Sequence, residues 1–216
     1  LVQAAAGMLT HDVSFLRGVR ALSTEYGTYM VTDEVATGIG RTGTMWAVEQ
    51  ADIAPDILTC GKGLTGGVLP LSAVLTTEEI YESFLGDASR TFFHGHSYTA
   101  NPLCAAAALA NLELMDERGT VEHAAWIGRE LGDLLKPFEA DERVAEVRRI
   151  GTMTGIEVVP SGERTGFRIC VAARELGVIT RPLGDVVILM PPLGITQPDL
   201  EQLVAAVRHG MDVVYA

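Results

Sequence analysis

Lysine is nearly absent from this chain. Lys62 and Lys136 are the only two in 216 residues, and arginine carries the remaining positive charge. The 16 basic side chains stand against 28 acidic ones, for a formal net charge of −12, and both halves share the excess. No basic patch and no acidic tail exists. Nucleic acid and anionic membrane surfaces are therefore not expected as partners, because both need clustered positive charge. Cysteine is scarce too. Cys60, Cys104 and Cys170 stand apart, with no CxxC and no Cys/His pairing. Neither a zinc site nor a disulfide framework is expected, and the scattered thiols fit a reducing cytoplasm. A charge-free apolar run of about 18 residues, the minimum for a membrane-spanning helix, is also missing. The opening Leu1-Val2-Gln3 has neither Met nor a charged region before an apolar stretch. It does not read as a signal peptide but as a segment cut from a longer polypeptide.

What is present is ordinary globular material, 48% hydrophobic and 20% charged, which suits a full core. Phe15, Leu16, Val19 and Leu22 have helical spacing and predict a helix over residues 12–26. Residues 28–33 form a β-rich run that enters a glycine-rich turn at 37–43, and a second run at 57–59 enters another at 61–67. A third run, 71–75, ends in Thr76-Thr77-Glu78-Glu79, a helix-start pattern. Short buried strands between helices and glycine turns predict a parallel α/β sheet. From Pro102 the pattern changes to an Ala-rich helix ending near 116 and another over 120–135. Strands follow near 144–149 and 152–159, then a helix near 165–176. Strands near 177–181 and 186–190 precede a last helix from about 198. A domain boundary is placed near residue 120, with 121–216 as a small α+β domain.

Three elements carry chemistry. Lys62 lies between Gly61 and Gly63, just after a strand, a poor place for a solvated surface charge. A primary amine condenses with aldehydes and a guanidinium does not. Taken alone, an ordinary loop lysine remains the commoner reading. Asp33 ends the preceding strand, and ligands of open α/β sheets bind beyond the carboxyl ends of strands. A carboxylate there suits the pyridine nitrogen of pyridoxal phosphate, whose protonated form it favours. A turn-forming Asp is the plain alternative. Residues 92–102 form a polar, aromatic loop that delivers hydroxyls to a helix start, a setting that suits phosphate. His94 and His96 have no carboxylate or third His nearby, so no metal is expected.

Together these elements resemble the class III, fold-type I aminotransferases. Asp33 to Gly38 with Gly40-Arg41-Thr42-Gly43 matches the family's pyridine-aspartate signature. Leu58 to Gly67 matches its lysine segment, and His94 to Tyr98 with Asn101-Pro102-Leu103 its phosphate loop. Within the class, Ala36, residues 2–8, residues 71–77, Thr180-Arg181-Pro182 and Leu189-Met190-Pro191-Pro192 resemble the biotin-pathway branch. The resemblance implies pyridoxal 5'-phosphate as cofactor and small-molecule substrates. Lys62 would bind the aldehyde and move the proton, Asp33 would pair with the ring nitrogen, and Val35 would pack on the ring. His96 and Ser97 would bind phosphate, Gly95 would lie beside substrate, and Arg181 would bind a substrate carboxylate. In the family the phosphate loop reaches the partner's site, which implies a homodimer. His96-Ser97 stands where many members have Pro-Thr, and branches differ in amino donor, adenosylmethionine or lysine. Residues 1–120 would be the C-terminal part of the large cofactor-binding domain, a mostly parallel sheet with helices.

Overall fold

A computed structural model describes all 216 residues. In chain order its elements are β1 (Val2–Gln3), β2 (Leu9–Thr10), α1 (Val13–Glu25), β3 (Val31–Asp33), β4 (Ile57–Cys60), β5 (Ala73–Thr76) and α2 (Glu78–Glu82). Then come α3 (Pro102–Glu117), α4 (Thr120–Glu139), β6 (Val144–Ile150), β7 (Met153–Val158), α5 (Thr165–Ala172), β8 (Arg181–Leu183), β9 (Val186–Leu189) and α6 (Gln197–Val214). They form two compact units, neither a continuous stretch of chain. One holds residues 13–39 and 46–119, the other residues 1–12, 40–45 and 120–216. No helix is long and apolar enough to cross a membrane.

The 13–39/46–119 unit, here the lysine unit, is built on a sheet ordered β3-β4-β5. β3 runs parallel to β4, with Asp33 opposite Thr59, whereas β4 and β5 are antiparallel, with Cys60 opposite Ala73. The expected mostly parallel sheet is therefore mixed. A parallel return needs a crossover, usually a helix, and the 61–72 link holds only one 3₁₀ turn, Lys62–Thr65. Of the expected buried strands only β4 is buried, through Leu58 and Cys60, while the edge strands expose Val31 and Val74. α1 has the expected period but presents a neighbouring face. Leu16 and Ser23 are buried, whereas Phe15, Val19 and Leu22 are exposed. On the buried side, Arg17 Nε donates to the Ala51 carbonyl at 2.9 Å and Arg20 pairs with Asp56 at 2.7 Å. Arg20 and the Met30 N–H both bond the Asp56 carboxylate and hold it below the usual range, with the backbone bond the larger cause.

The other unit carries an antiparallel sheet ordered β6-β7-β9-β8. Alternation along β7 and β9 splits its core. Ile156, Val158, Val187 and Leu189 pack with Ile127, Leu131 and Val207 of α4 and α6, while Met153, Val186 and Ile188 pack on Met8. Gly210 lets α6 approach α5 closely, since a Cβ there would lie 2.5 Å from the Ile169 carbonyl oxygen. The strand expected at 177–181 instead begins at Arg181: Gly177 (φ +77) ends the preceding turn, and the Val178 N–H still bonds the Ala173 carbonyl of that turn. β8 lies at the sheet edge, where Pro182 costs no ladder bond.

Asp141 anchors this unit. It accepts the Arg143 N–H at 3.0 Å, Arg143 Nε at 2.9 Å and Nη2 at 2.8 Å, and Arg208 Nη1 at 2.6 Å. The Arg143 side-chain bonds hold its carboxyl well below the usual carboxylate range. A depressed folded value means stability that is present above the unfolded value, about 3.9, and lost as pH falls through the folded one. Asp141→Asn is therefore expected to lower the melting temperature at neutral pH, with the gap to wild type closing in strong acid. Thermal unfolding over a pH series measures it, and a gap that widens in acid contradicts it.

Candidate functional site

Consecutive strand residues face opposite sides, and the pair Asp33-Glu34 uses this. Asp33 remains exposed at the end of β3, while Glu34 is only 2% exposed. Glu34 accepts the Val48 N–H at 3.0 Å and a short bond from the Thr37 hydroxyl, so it holds the turn after Asp33 from beneath. Asp33 Oδ1 accepts the Val35 N–H at 3.0 Å and the Thr59 hydroxyl at 3.3 Å. Oδ2 has no protein partner.

Lys62 follows β4, so the structure brings the amine and the acid to the carboxyl ends of adjacent parallel strands. Its ammonium is exposed and makes no ion pair. Its backbone is left-handed, φ +44, a conformation that costs a residue with a side chain roughly 1–2 kcal/mol. Ile39, buried and β-branched, is left-handed too at φ +56. The two meet at Gly63, where a Cβ would lie 3.1 Å from Ile39 Cβ. From α3, Asn111 Nδ2 donates to the carbonyls of Gly63 at 3.0 Å and Leu64 at 3.2 Å. Strain persists only where surroundings over-determine it, and such positions cluster at working sites. Below the turn, burial pushes the Cys60 thiol up, consistent with an inert core thiol.

Gly95, His96 and Ser97 lie in the exposed loop of the same unit. The loop is braced internally. Thr99 Oγ1 accepts the His96 N–H at 2.9 Å and His96 Nδ1 the Tyr98 N–H at 3.1 Å. Asn101 caps α3 by accepting the Leu103 N–H at 2.9 Å. No hydrogen bond joins this loop to Asp33 or Lys62. No cluster of three or more metal-type side chains exists. Arg181 lies in the other unit, exposed on β8 opposite Ile188, with no ion pair. A cavity of about 290 Å³ there is lined by Thr180, Asp199 and Gln202 among others. Each of those three side chains already makes a hydrogen bond within the unit, with Ile188, Thr196 and Leu176 respectively.

Pyridoxal phosphate fits the lysine unit. A partnerless amine and a carboxylate with one oxygen uncommitted stand at the same sheet end. Four residues of this arrangement are not singled out by sequence reasoning: Glu34 as the buried acid, Ile39, Thr59 and Asn111. Strand alternation marks Glu34, whereas Thr59 and Asn111 act across long sequence separations.

The model of the family aminotransferase class-III matches residues 1–211. The chain belongs to that family. It is 50% identical to the adenosylmethionine-8-amino-7-oxononanoate aminotransferase of Nitratidesulfovibrio vulgaris, over 99% of this chain and 42% of that protein. The crystal structure of the enzyme of that name from Methanocaldococcus jannaschii superposes with a TM-score of 0.91 at 38% identity, over 98% of this chain and 52% of that one. An amine transaminase from an uncultivated Pseudomonas species, solved in its PLP-bound form, gives 0.93 at 32%, over 99% of this chain and 51% of that one. The chain thus spans about half the length of the relatives it matches.

Proposed function

We propose that this chain provides the lysine-bearing part of a pyridoxal phosphate-dependent aminotransferase that converts 8-amino-7-oxononanoate to 7,8-diaminononanoate in biotin synthesis. The observation that carries the reaction class is Asp33 and Lys62 at the ends of adjacent parallel strands. The substrate is supported by relatives named adenosylmethionine-8-amino-7-oxononanoate aminotransferase at up to 50% identity. When bound, the cofactor supplies an aldehyde and an electron-withdrawing ring. Lys62 Nζ holds that aldehyde and accepts and returns the proton taken from the donor carbon. Asp33 keeps the ring nitrogen charged, with Val35 against the ring. His96 and Ser97 bind phosphate, and Gly95 lies beside substrate. Pairing of two copies, each lending its 92–101 loop to the other's site, is supported by the exposure of Phe92, Phe93 and Tyr98 on that loop. Three buried free thiols support a cytoplasmic setting.

Arg181 binds the carboxylate of the keto acid. Arg181→Ala is expected to raise KM for 8-amino-7-oxononanoate about ten- to hundredfold, from roughly 1.5–3 kcal/mol for a charge-assisted pair. KM for the amino donor should hardly move, and equal effects on both would mean a structural role. The likeness to an amine transaminase favours a second reading, a class III enzyme of ω-amino acids or diamines. A substrate panel tests the choice. Turnover of 8-amino-7-oxononanoate with adenosylmethionine or lysine supports the first reading, and turnover confined to diamines or ω-amino acids overturns it.

A further inference from the structure

We propose that Thr59 is a positioning residue for the Asp33 carboxylate, an inference that rests on the reading of Asp33 as the partner of the cofactor's ring nitrogen. β3 and β4 are parallel and in register at Asp33 and Thr59, so both side chains leave the sheet on one face. Their neighbours Leu58 and Cys60 turn into the core on the other. The Thr59 hydroxyl donates to Asp33 Oδ1 at 3.3 Å, and the Val35 N–H donates to the same oxygen at 3.0 Å. Both donors converge on one oxygen and leave Oδ2 uncommitted.

This division of labour has a physical consequence. The Val35 bond spans two residues and moves with the turn, so alone it leaves an exposed Asp free to change rotamer. The Thr59 bond comes from a neighbouring strand. A β-branched side chain in a strand has restricted χ1, so the hydroxyl is presented from a fixed direction. Together the two donors fix the carboxylate plane and aim Oδ2 before any ligand arrives, the arrangement that makes an electrostatic contact effective without reorganisation. No other hydroxyl duplicates the role, since the nearby Thr32 hydroxyl is buried and makes no hydrogen bond.

Thr59→Val removes the hydroxyl at nearly constant shape. It is expected to weaken pyridoxal phosphate binding, read by equilibrium dialysis, about three- to tenfold, the scale of one hydrogen bond to a partly exposed charge. The NMR signal of isotope-labelled ring nitrogen should move toward the unprotonated position, and the melting temperature of the cofactor-free protein should stay near wild type. Thr59→Ser should restore affinity and ring signal. Wild-type affinity and ring signal in Thr59→Val overturn the inference, as does Thr59→Ser behaving like Thr59→Val, which would mean packing alone. Lysine-bound cofactor absent in wild type, or persisting in Lys62→Ala, overturns the parent reading and this inference with it. A silent Thr59→Val beside a strong Asp33→Asn effect overturns this inference alone.

Discussion

Lys62→Ala is expected to abolish both the visible absorbance of lysine-bound pyridoxal phosphate and all measurable turnover. Primary amines are scarce in this protein. The chain has one other lysine, Lys136. That residue lies on α4 in the other unit, 70% exposed and bonded to Asp133 at 2.6 Å. Arginine holds every other basic position, and a guanidinium stays protonated and forms no imine under these conditions. No other side chain offers a primary amine to the cofactor. Absorbance and borohydride reduction followed by peptide mapping measure the outcome. Cofactor trapped at a different lysine would remove Lys62 from the reading.

Asp33→Asn is expected to lower turnover about 10²- to 10³-fold, the scale on which a preorganised charge acts in catalysis, while cofactor affinity falls far less. The amide keeps an oxygen for the Val35 and Thr59 donors, so the turn survives and only the charge is lost. Separate measurements of kcat and of cofactor affinity make the comparison. A near-normal rate would reduce Asp33 to a turn former.

Much of this arrangement is legible in sequence where the signal is local. Glycines around Lys62, β-rich runs before Asp33 and Lys62, and the Asn101-Pro102 helix start all mark their elements without knowledge of the fold. Legibility fails where a distant group decides. The partners of Arg17 and Arg20 on α1, Ala51 and Asp56, lie more than 30 residues away, and the helical period of Phe15, Val19 and Leu22 does not report them. The direction of β5 depends on what the 61–72 link contains rather than on the strand itself. β8 starts later than its apolar pattern suggests, and the Val178 N–H is still committed to the preceding turn through the Ala173 carbonyl. Asn111 reaches the lysine turn from 48 residues away, and no spacing rule connects them.

The discontinuity of the two units constrains how relatives of this chain can be recombined. A chimera joined at Gly119/Thr120 imports most of the four-stranded unit but retains residues 1–12 and 40–45 from the other parent. Those short pieces are not trim. Gly7 offers its carbonyl to Arg148 Nε and Nη2 at 3.2 and 3.0 Å, beneath a side chain that is 6% exposed. Arg41 donates to the Pro191 carbonyl at 2.6 Å, and its own carbonyl accepts the Thr152 N–H and hydroxyl, each at 3.0 Å. Gly151, with φ +55, lies so close that a Cβ there would stand 2.3 Å from the Thr42 carbonyl carbon. Parental mismatch at any of these strands a buried guanidinium or drives backbone into backbone. Successful exchange therefore follows the three-dimensional partition, with residues 1–12 and 40–45 inherited together with 120–216 as one block.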